Sequence, residues 1–457
     1  MECSKYSNFL FLIVNMKTLI LFLAGVVASS FAAQFSVFHE ESYECSDGVP
    51  IASIELKGLE YTKDHVVLRE LVHKVGDSFS QKNFEVEKLK LQDLDLFTDI
   101  TVTCEPAKES INEIFAGAAE PSHSLNATKL VYHFKEIFRW IPSPTTKTSD
   151  RDGFMIGLAL ANLNVLGEDI RAELQYRTAV SPIFEKNEYA VYVSSPYFME
   201  LPVGWNFEFL RTNSWDDIRG FRDASWIFSL DVKWRLIPHF ALLGHTAYRY
   251  LEGGPGHLPE FGLGVAVDFR NSEIDTRKGV YFESSVMHMG FREMNDEHYT
   301  EFLEDGRAYY SFGPFVTGAS ALVRLRPGTV NRYDYFYHGG ENSFRGHYAD
   351  SMYLGIHEAL LTLEERFVLL ERRPASLCGV NFFYGLQLVA GFDGSLLWDE
   401  GAPKWKNYEG AVYGGIHLVL PAIDRIRFEV GYSPDYGEPK FYFGFFDKPA
   451  TSRWRNR

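Results

Sequence analysis

The residues best placed to do chemistry lie between Tyr333 and His347, in the string YDYFYHGGENSFRGH. Gly339, Gly340 and Ser343 make the stretch a glycine-rich loop ahead of an arginine. Arg345, set between Phe344 and Gly346, carries a guanidinium whose planar fork of donors suits carboxylates. Such an arginine anchors; it does not react. His338, His347 and His357 sit near it and invite a metal reading, but polar loop residues are the simpler account. No GxSxG elbow, HExxH, phosphate-binding glycine loop or CxxC occurs. The sequence therefore predicts no enzyme, no metal and no cofactor.

The composition narrows the setting. The chain has 457 residues, with 45 Lys+Arg against 61 Asp+Glu, a net charge of −16 that argues against a nucleic-acid partner. Hydrophobic residues at 46% argue against wholesale disorder, and aromatics reach 16%. The mean hydropathy of −0.16 excludes a polytopic helical membrane protein. It does not exclude a transmembrane β-barrel, whose strands alternate apolar and polar residues.

The apolar run Leu19 to Ala28 is too short to span a bilayer as a helix, which needs about 20 residues. Lys17 precedes it and small residues, Ser29 to Ala33, follow. That pattern describes a secretory signal peptide over 1–33, starting at Met1 or at Met16. Residues 34–49 form an N-terminal extension. Outside the cytosol Cys45 and Cys104 can pair, a connectivity that sequence alone leaves open.

The elements that must position the loop follow in two blocks. Residues 50–137 read as a small α+β domain. It has a strand from Ile51 to Leu56, a helix from Asp64 to Val72 capped by Thr62, and a helix from Gln81 to Leu94. Strands from Asp99 to Thr103 and Lys129 to Phe134 complete it. A Pro/Thr/Ser linker spans 138–152. From 153 to 446 the chain is a succession of strand-length stretches with period-two alternation. Trp226, Phe228, Leu230 and Trp234 share one face, Ser229, Asp231 and Lys233 the other. Arg425, Arg427 and Glu429 likewise oppose Ile426, Phe428 and Val430. The stretches number about sixteen, from 153–162 to 438–446 with 332–338 among them, an even number as single-chain barrels require. Residues 447–457 form a polar tail. Alternation alone suits a soluble sandwich or a membrane barrel. The secretory signal, the aromatics and strands of about ten residues favour the barrel. The expected fold is thus membrane all-β, a transmembrane β-barrel of about sixteen strands behind one small α+β domain.

Two stretches resemble a known family. Residues 50–137 resemble a POTRA domain through Ile54, Gly58, Thr62, Arg69-Glu70, Val75-Gly76-Asp77, Leu91, Leu94 and Leu96-Phe97. The string FYxGGxxSxRG resembles the sixth-loop signature of the BamA/TamA superfamily (bacterial surface antigen family) of outer-membrane insertases. The resemblance covers nearly the whole mature chain. It implies a loop folded back inside the barrel, where Arg345 meets acidic residues of the lumen wall. The matching positions are Glu364, in an E-x-R-F pattern, and Asp393, in an F-D-G pattern. His347 departs from the family, which usually has an aromatic there.

The resemblance further implies the outer membrane of a bacterial cell, with the POTRA-like domain in the periplasm. A mitochondrial outer-membrane barrel is the alternative. Members of this family fold and insert β-barrel proteins through a seam between first and last strands. Here those strands are expected to hold Phe154, Gly157 and Leu160, and Phe441, Phe443 and Gly444. Glycine within them and Pro439 beside them weaken pairing. The implied partners are the lipid bilayer, unfolded β-barrel clients, and periplasmic chaperones or accessory lipoproteins at the POTRA-like domain. The alternatives are a two-partner-type polypeptide secretion transporter and a passive pore or surface protein.

Overall fold

The computed structural model describes residues 45–106, 128–149, 153–180, 186–216, 218–252, 254–273, 275–291, 297–340, 343–347, 354–377, 379–421 and 423–444. The signal peptide, the extension as far as residue 44 and the C-terminal tail lie outside these residues.

The small domain holds β1 (Ile51–Lys57), α1 (Asp64–Leu68), α2 (Gln81–Asp93), β2 (Phe97–Pro106) and β3 (Thr128–Glu136). Its sheet has the order β1-β3-β2, with β3 parallel to β1 and antiparallel to β2. Val67, Phe84, Leu91, Leu130 and Tyr132 form its core. Cys45 and Cys104 are joined as a disulfide, with a Cα separation of 5.2 Å. Thr62 does not cap α1. Lys63 holds the N-cap position, and the Thr62 hydroxyl instead accepts a bond from Asn164 Nδ2 at 2.9 Å.

The second block is a closed barrel. Its first wall runs through β4 (Trp140–Ser149), β5 (Gly153–Val165), β6 (Ile170–Ala179), β7 (Asn187–Ser195), β8 (Val203–Asp216) and β9 (Phe221–Ile237). The next holds β10 (Phe240–Glu252), β11 (Gly256–Asp268), β12 (Gly279–Met289), β13 (His298–Phe312), β14 (Phe315–Leu325) and the two-residue β15 (Gly328–Thr329). After a short pair, β16 (Phe336–Tyr337) and β17 (Leu354–Gly355), the last wall is β18 (His357–Leu377), β19 (Val380–Trp398), β20 (Tyr408–Leu420), β21 (Ile423–Tyr432) and β22 (Lys440–Gly444). Among the described residues, sixteen strands longer than two residues close the barrel, β22 meeting β4.

The alternation is inverted relative to a soluble sandwich. On β9, Trp226, Phe228, Leu230 and Trp234 are exposed on the outside, while Asp231 and Lys233 are buried within. Glu283, Glu301 and Asp393 are at most 1% exposed. A water-soluble fold would not bury its carboxylates and expose this many aromatics; a barrel in hydrocarbon does so. On β19, Gln387, Val389 and Asp393 face inward and Leu388 outward, as parity predicts. Glu365, which parity turns toward lipid, accepts a bond from Thr317 Oγ1 at 2.6 Å, three residues from the turn before β14.

The sixteen strands are not the sixteen expected. The stretch read as a linker supplies β4, paired with β5 from Trp140–Asn162 to Ser149–Gly153. Pro142 and Pro144 disguise it. Proline lacks an N–H and is tolerated only at an edge, and β4 stands at the end of the chain's own strand succession. Residues 332–338, conversely, give no wall strand. They form a 3-10 turn at Arg332–Asp334 and then β16. Consequently Phe154, Gly157 and Leu160 lie on the second strand, not at the seam. A Cβ on Gly157 would meet the Tyr176 carbonyl oxygen at 1.8 Å, so this glycine serves close approach of β6. Phe441, Phe443 and Gly444 do lie on the last strand, β22.

The small domain sits against one rim, here termed near. Lys63 pairs with Glu168, and Arg69 Nη2 bonds Asp169 Oδ2 at 3.1 Å, both in the β5–β6 turn. Tyr197 in the β7–β8 turn donates to Glu70 at 3.0 Å. Leu96, Phe97 and Ile137 share a core with Ala161, Leu163, Phe383 and Val419 of the barrel.

Candidate functional site

The far ends of β14 and β18 are joined by the segment that carries Arg345, and this segment descends into the lumen. Asp334 fixes its start, accepting a bidentate pair from Arg249 (both 2.5 Å) and a bond from Tyr299 at 2.8 Å. Arg219 Nε donates to the Tyr335 carbonyl at 2.9 Å. Gly340, at φ +96°, makes the reversal, and the Ser343 hydroxyl closes it on Gly339, accepting from its N–H at 3.0 Å. Phe344 is fully buried behind it.

Arg345 is then aimed at the wall. Its Nε and Nη2 donate to Asp393 Oδ2 and Oδ1 at 2.7 and 2.8 Å, and its backbone N–H adds a third bond to Oδ2 at 3.1 Å. Nη1 donates to Glu429 Oε1 at 3.0 Å. The guanidinium lies over the Tyr413 ring, 3.2 Å from its centroid. Asp393 also accepts from Thr362 Oγ1 at 2.9 Å. Each of the three nitrogens of the fork thus donates to a carboxylate in a site sheltered from water, where charge-assisted bidentate pairs are strongest.

Of the two carboxylates expected near Arg345, the structure places one against it. Asp393 is a partner, but Glu364 does not touch Arg345. It accepts from Tyr413 Oη at 2.9 Å and lies 3.4 Å from Arg366. The second partner is Glu429 on β21, held in turn by His417 Nε2 at 2.9 Å. The alternation of residues 424–432 already put Glu429 on the inner face; nothing local said that it reached the loop. Gly346 admits the loop closely, since a Cβ there would meet the Phe344 ring at 2.4 Å and Ser433 at 2.8 Å.

The three histidines are drawn apart. His338 contacts Ser395 and Glu358, the latter at 2.7 Å. His357 accepts from the Arg326 N–H. His347 meets Glu409 at 3.0 Å and stacks near Tyr436. The backbone carbonyl of His347 accepts from Tyr442 Oη of β22 at 3.1 Å and ties the loop to the last strand, a bond that does not depend on the side chain at 347.

The Omp85 superfamily domain matches residues 167–445. No curated protein sequence matches the chain. Among solved structures, CdiB from Acinetobacter baumannii is similar at 13% identity and a TM-score of 0.50, covering 87% of this chain and 73% of that one. CdiB from Escherichia coli is 14% identical, with a TM-score of 0.49 and 90% and 92% of the two chains covered. BamA from Haemophilus ducreyi lacking POTRA domains 1–3 is 12% identical, with a TM-score of 0.47 and coverage of 87% and 84%. At such identities the likeness to the first of these speaks for the fold alone.

Proposed function

Because the chain belongs to the Omp85 superfamily of outer-membrane β-barrel proteins, we propose that it is an assembly factor that folds and inserts client β-barrels through the seam between β4 and β22.

The observation that carries this reading is the seam itself. Pro142 and Pro144 withhold two donors from β4. A seam strand that lacks those donors is open to pairing with an incoming strand, which gains main-chain bonds there. On β22, Phe441 is exposed outward while Tyr442 is buried and bonded to the loop. The anchor at Arg345 therefore steadies the strand that a client would displace. In this reading the POTRA-like domain faces the periplasm, where it meets clients, chaperones or accessory lipoproteins. The lumen carries out no reaction, and the loop that fills it weighs against a passive pore.

Photo-crosslinkers placed in β4 and β22 in living cells test the proposal. Capture of many different outer-membrane proteins, together with a fall in their levels on depletion, is the expected result. Capture of one large secreted polypeptide at lumen positions, with outer-membrane composition unchanged, would establish the transporter reading instead.

A further inference from the structure

The β11–β12 turn is the wrong length for a simple connection on the near rim. The β9–β10 turn on this rim is Pro238-His239 alone, and the β7–β8 turn, 196–202, is longer but still shorter than this one. This one runs from Phe269 to Lys278. It does not project away from the barrel but reaches across its mouth.

Its contacts lie on opposite walls. Glu273 accepts from Lys233 Nζ of β9 at 2.9 Å. Asp275, 9% exposed, accepts from Gln387 Nε2 of β19 and Arg425 Nη2 of β21, each at 3.1 Å. Arg366 of β18 approaches the same carboxylate at 3.4 Å and donates to the Thr276 carbonyl at 2.6 Å. In the closed strand order at least six strands separate β9 from β21 either way round. A segment bonded to both spans the lumen. Beneath it the small domain completes the closure, with Asp93 of α2 accepting from Ser272 Oγ at 2.6 Å and from the Glu273 N–H at 3.0 Å.

We infer that the 269–278 turn is a plug, which seals the near mouth of the barrel and is latched by Asp275 to the lumen wall and by Asp93 to the small domain. Asp275 is the central element. Arg366 and Arg425 are like charges brought together inside the barrel, and this carboxylate, which also pairs with Arg277 of the turn at 3.0 Å, is the anion they share. Removing it leaves the guanidiniums repelling each other and frees the turn from β19 and β21, so that only β18 still holds it on that side, through Arg366 to the Thr276 carbonyl and Arg277 to Glu371. The same Arg366 reaches Glu364, whose Tyr413 partner lies under Arg345. One polar network therefore links the plug at the near end to the loop at the far end. The plug needs only the barrel and the small domain, and it stands or falls independently of the client reading.

The test uses the full chain, carrying Cys3→Ser and Cys378→Ser, in vesicles. Val389, which faces the lumen and is 5% exposed, is changed to Cys as a reporter. A membrane-impermeant maleimide is added from the side of the small domain. With Asp275 intact the reporter is protected. In Asp275→Ala it labels at least about tenfold faster, as expected when a local closing interaction is lost. Folding is checked by heat-modifiable migration. Should Asp275→Ala fail to fold, replacement of residues 270–278 by Asn-Gly supplies the same readout. Equal labelling rates with and without the latch, in either folded variant, overturn the proposal.

Discussion

Gly431 lies so close to the arginine loop that a Cβ on it would stand 1.7 Å from the carbonyl oxygen of Arg345. The obstacle is backbone, not a side chain that can swing away. Gly431→Ala is expected to push the loop from its seat, at a cost of about 1–3 kcal/mol. Limited proteolysis of the intact barrel measures it, with faster cleavage within 332–347 as the expected outcome. Wild-type protection would mean that the loop has slack.

Arg345→Ala leaves Asp393 and Glu429 buried without their cation. Breaking such a pair costs about 3–5 kcal/mol, more than the pair itself contributes. The urea midpoint of the heat-modifiable form should fall accordingly. Arg345→Lys should not restore it, since an ammonium cannot reproduce the two parallel bonds to Asp393. Full rescue by Lys would reduce the site to a point charge.

The two glutamates are separable. Glu429→Gln removes a direct charged partner of Arg345, whereas Glu364→Gln acts only through Tyr413 and Arg366. Loop protection is expected to fall in the first variant by the equivalent of about 1–3 kcal/mol, and by clearly less in the second. The reverse ranking would contradict the geometry.

Reduction should loosen the small domain. The Cys45–Cys104 bridge joins residues 59 apart in sequence. A closed loop of that size is worth about 4 kcal/mol in the chain-entropy account. Thermal unfolding of the domain, followed with and without reductant, should shift downward, and a Cys45→Ser/Cys104→Ser variant should match the reduced protein. An unshifted transition would show that the packed core alone suffices.

Asp93 confers a pH dependence. Burial where α2 meets the 269–278 turn raises its carboxyl to about 7, with Glu273 adding to the rise and Arg372 opposing it. In the unfolded chain the ordinary value of 3.8 applies, so between these values the native state holds the extra proton. The favourable contribution is complete below about 4 and is lost as pH rises through about 7. The stability difference between wild type and Asp93→Asn should therefore widen in favour of the variant from pH 5 to pH 8. Parallel pH profiles for the two would rule this out.

Much of this protein is determined by local sequence. Period-two alternation marks wall strands wherever charge and aromatic residues take opposite faces, as at 226–234. The inward position of Asp393 and Glu429 follows from the same parity. The glycines, Ser343 and Arg345 identify the loop as an anchor, and the strands and helices of residues 50–137 are legible within a few residues. Other features were decided only by tertiary structure. Residues 140–149 read as a linker because their prolines oppose a strand; pairing with β5 overrides that preference. Glu429 becomes a partner of Arg345 across 84 residues, and Asp93 of the β11–β12 turn across 179. The side-chain period is a property of each strand by itself. Which inward side chains meet depends on how neighbouring strands slide past one another and on how deep a loop descends. Those quantities are set by the closure of the whole barrel.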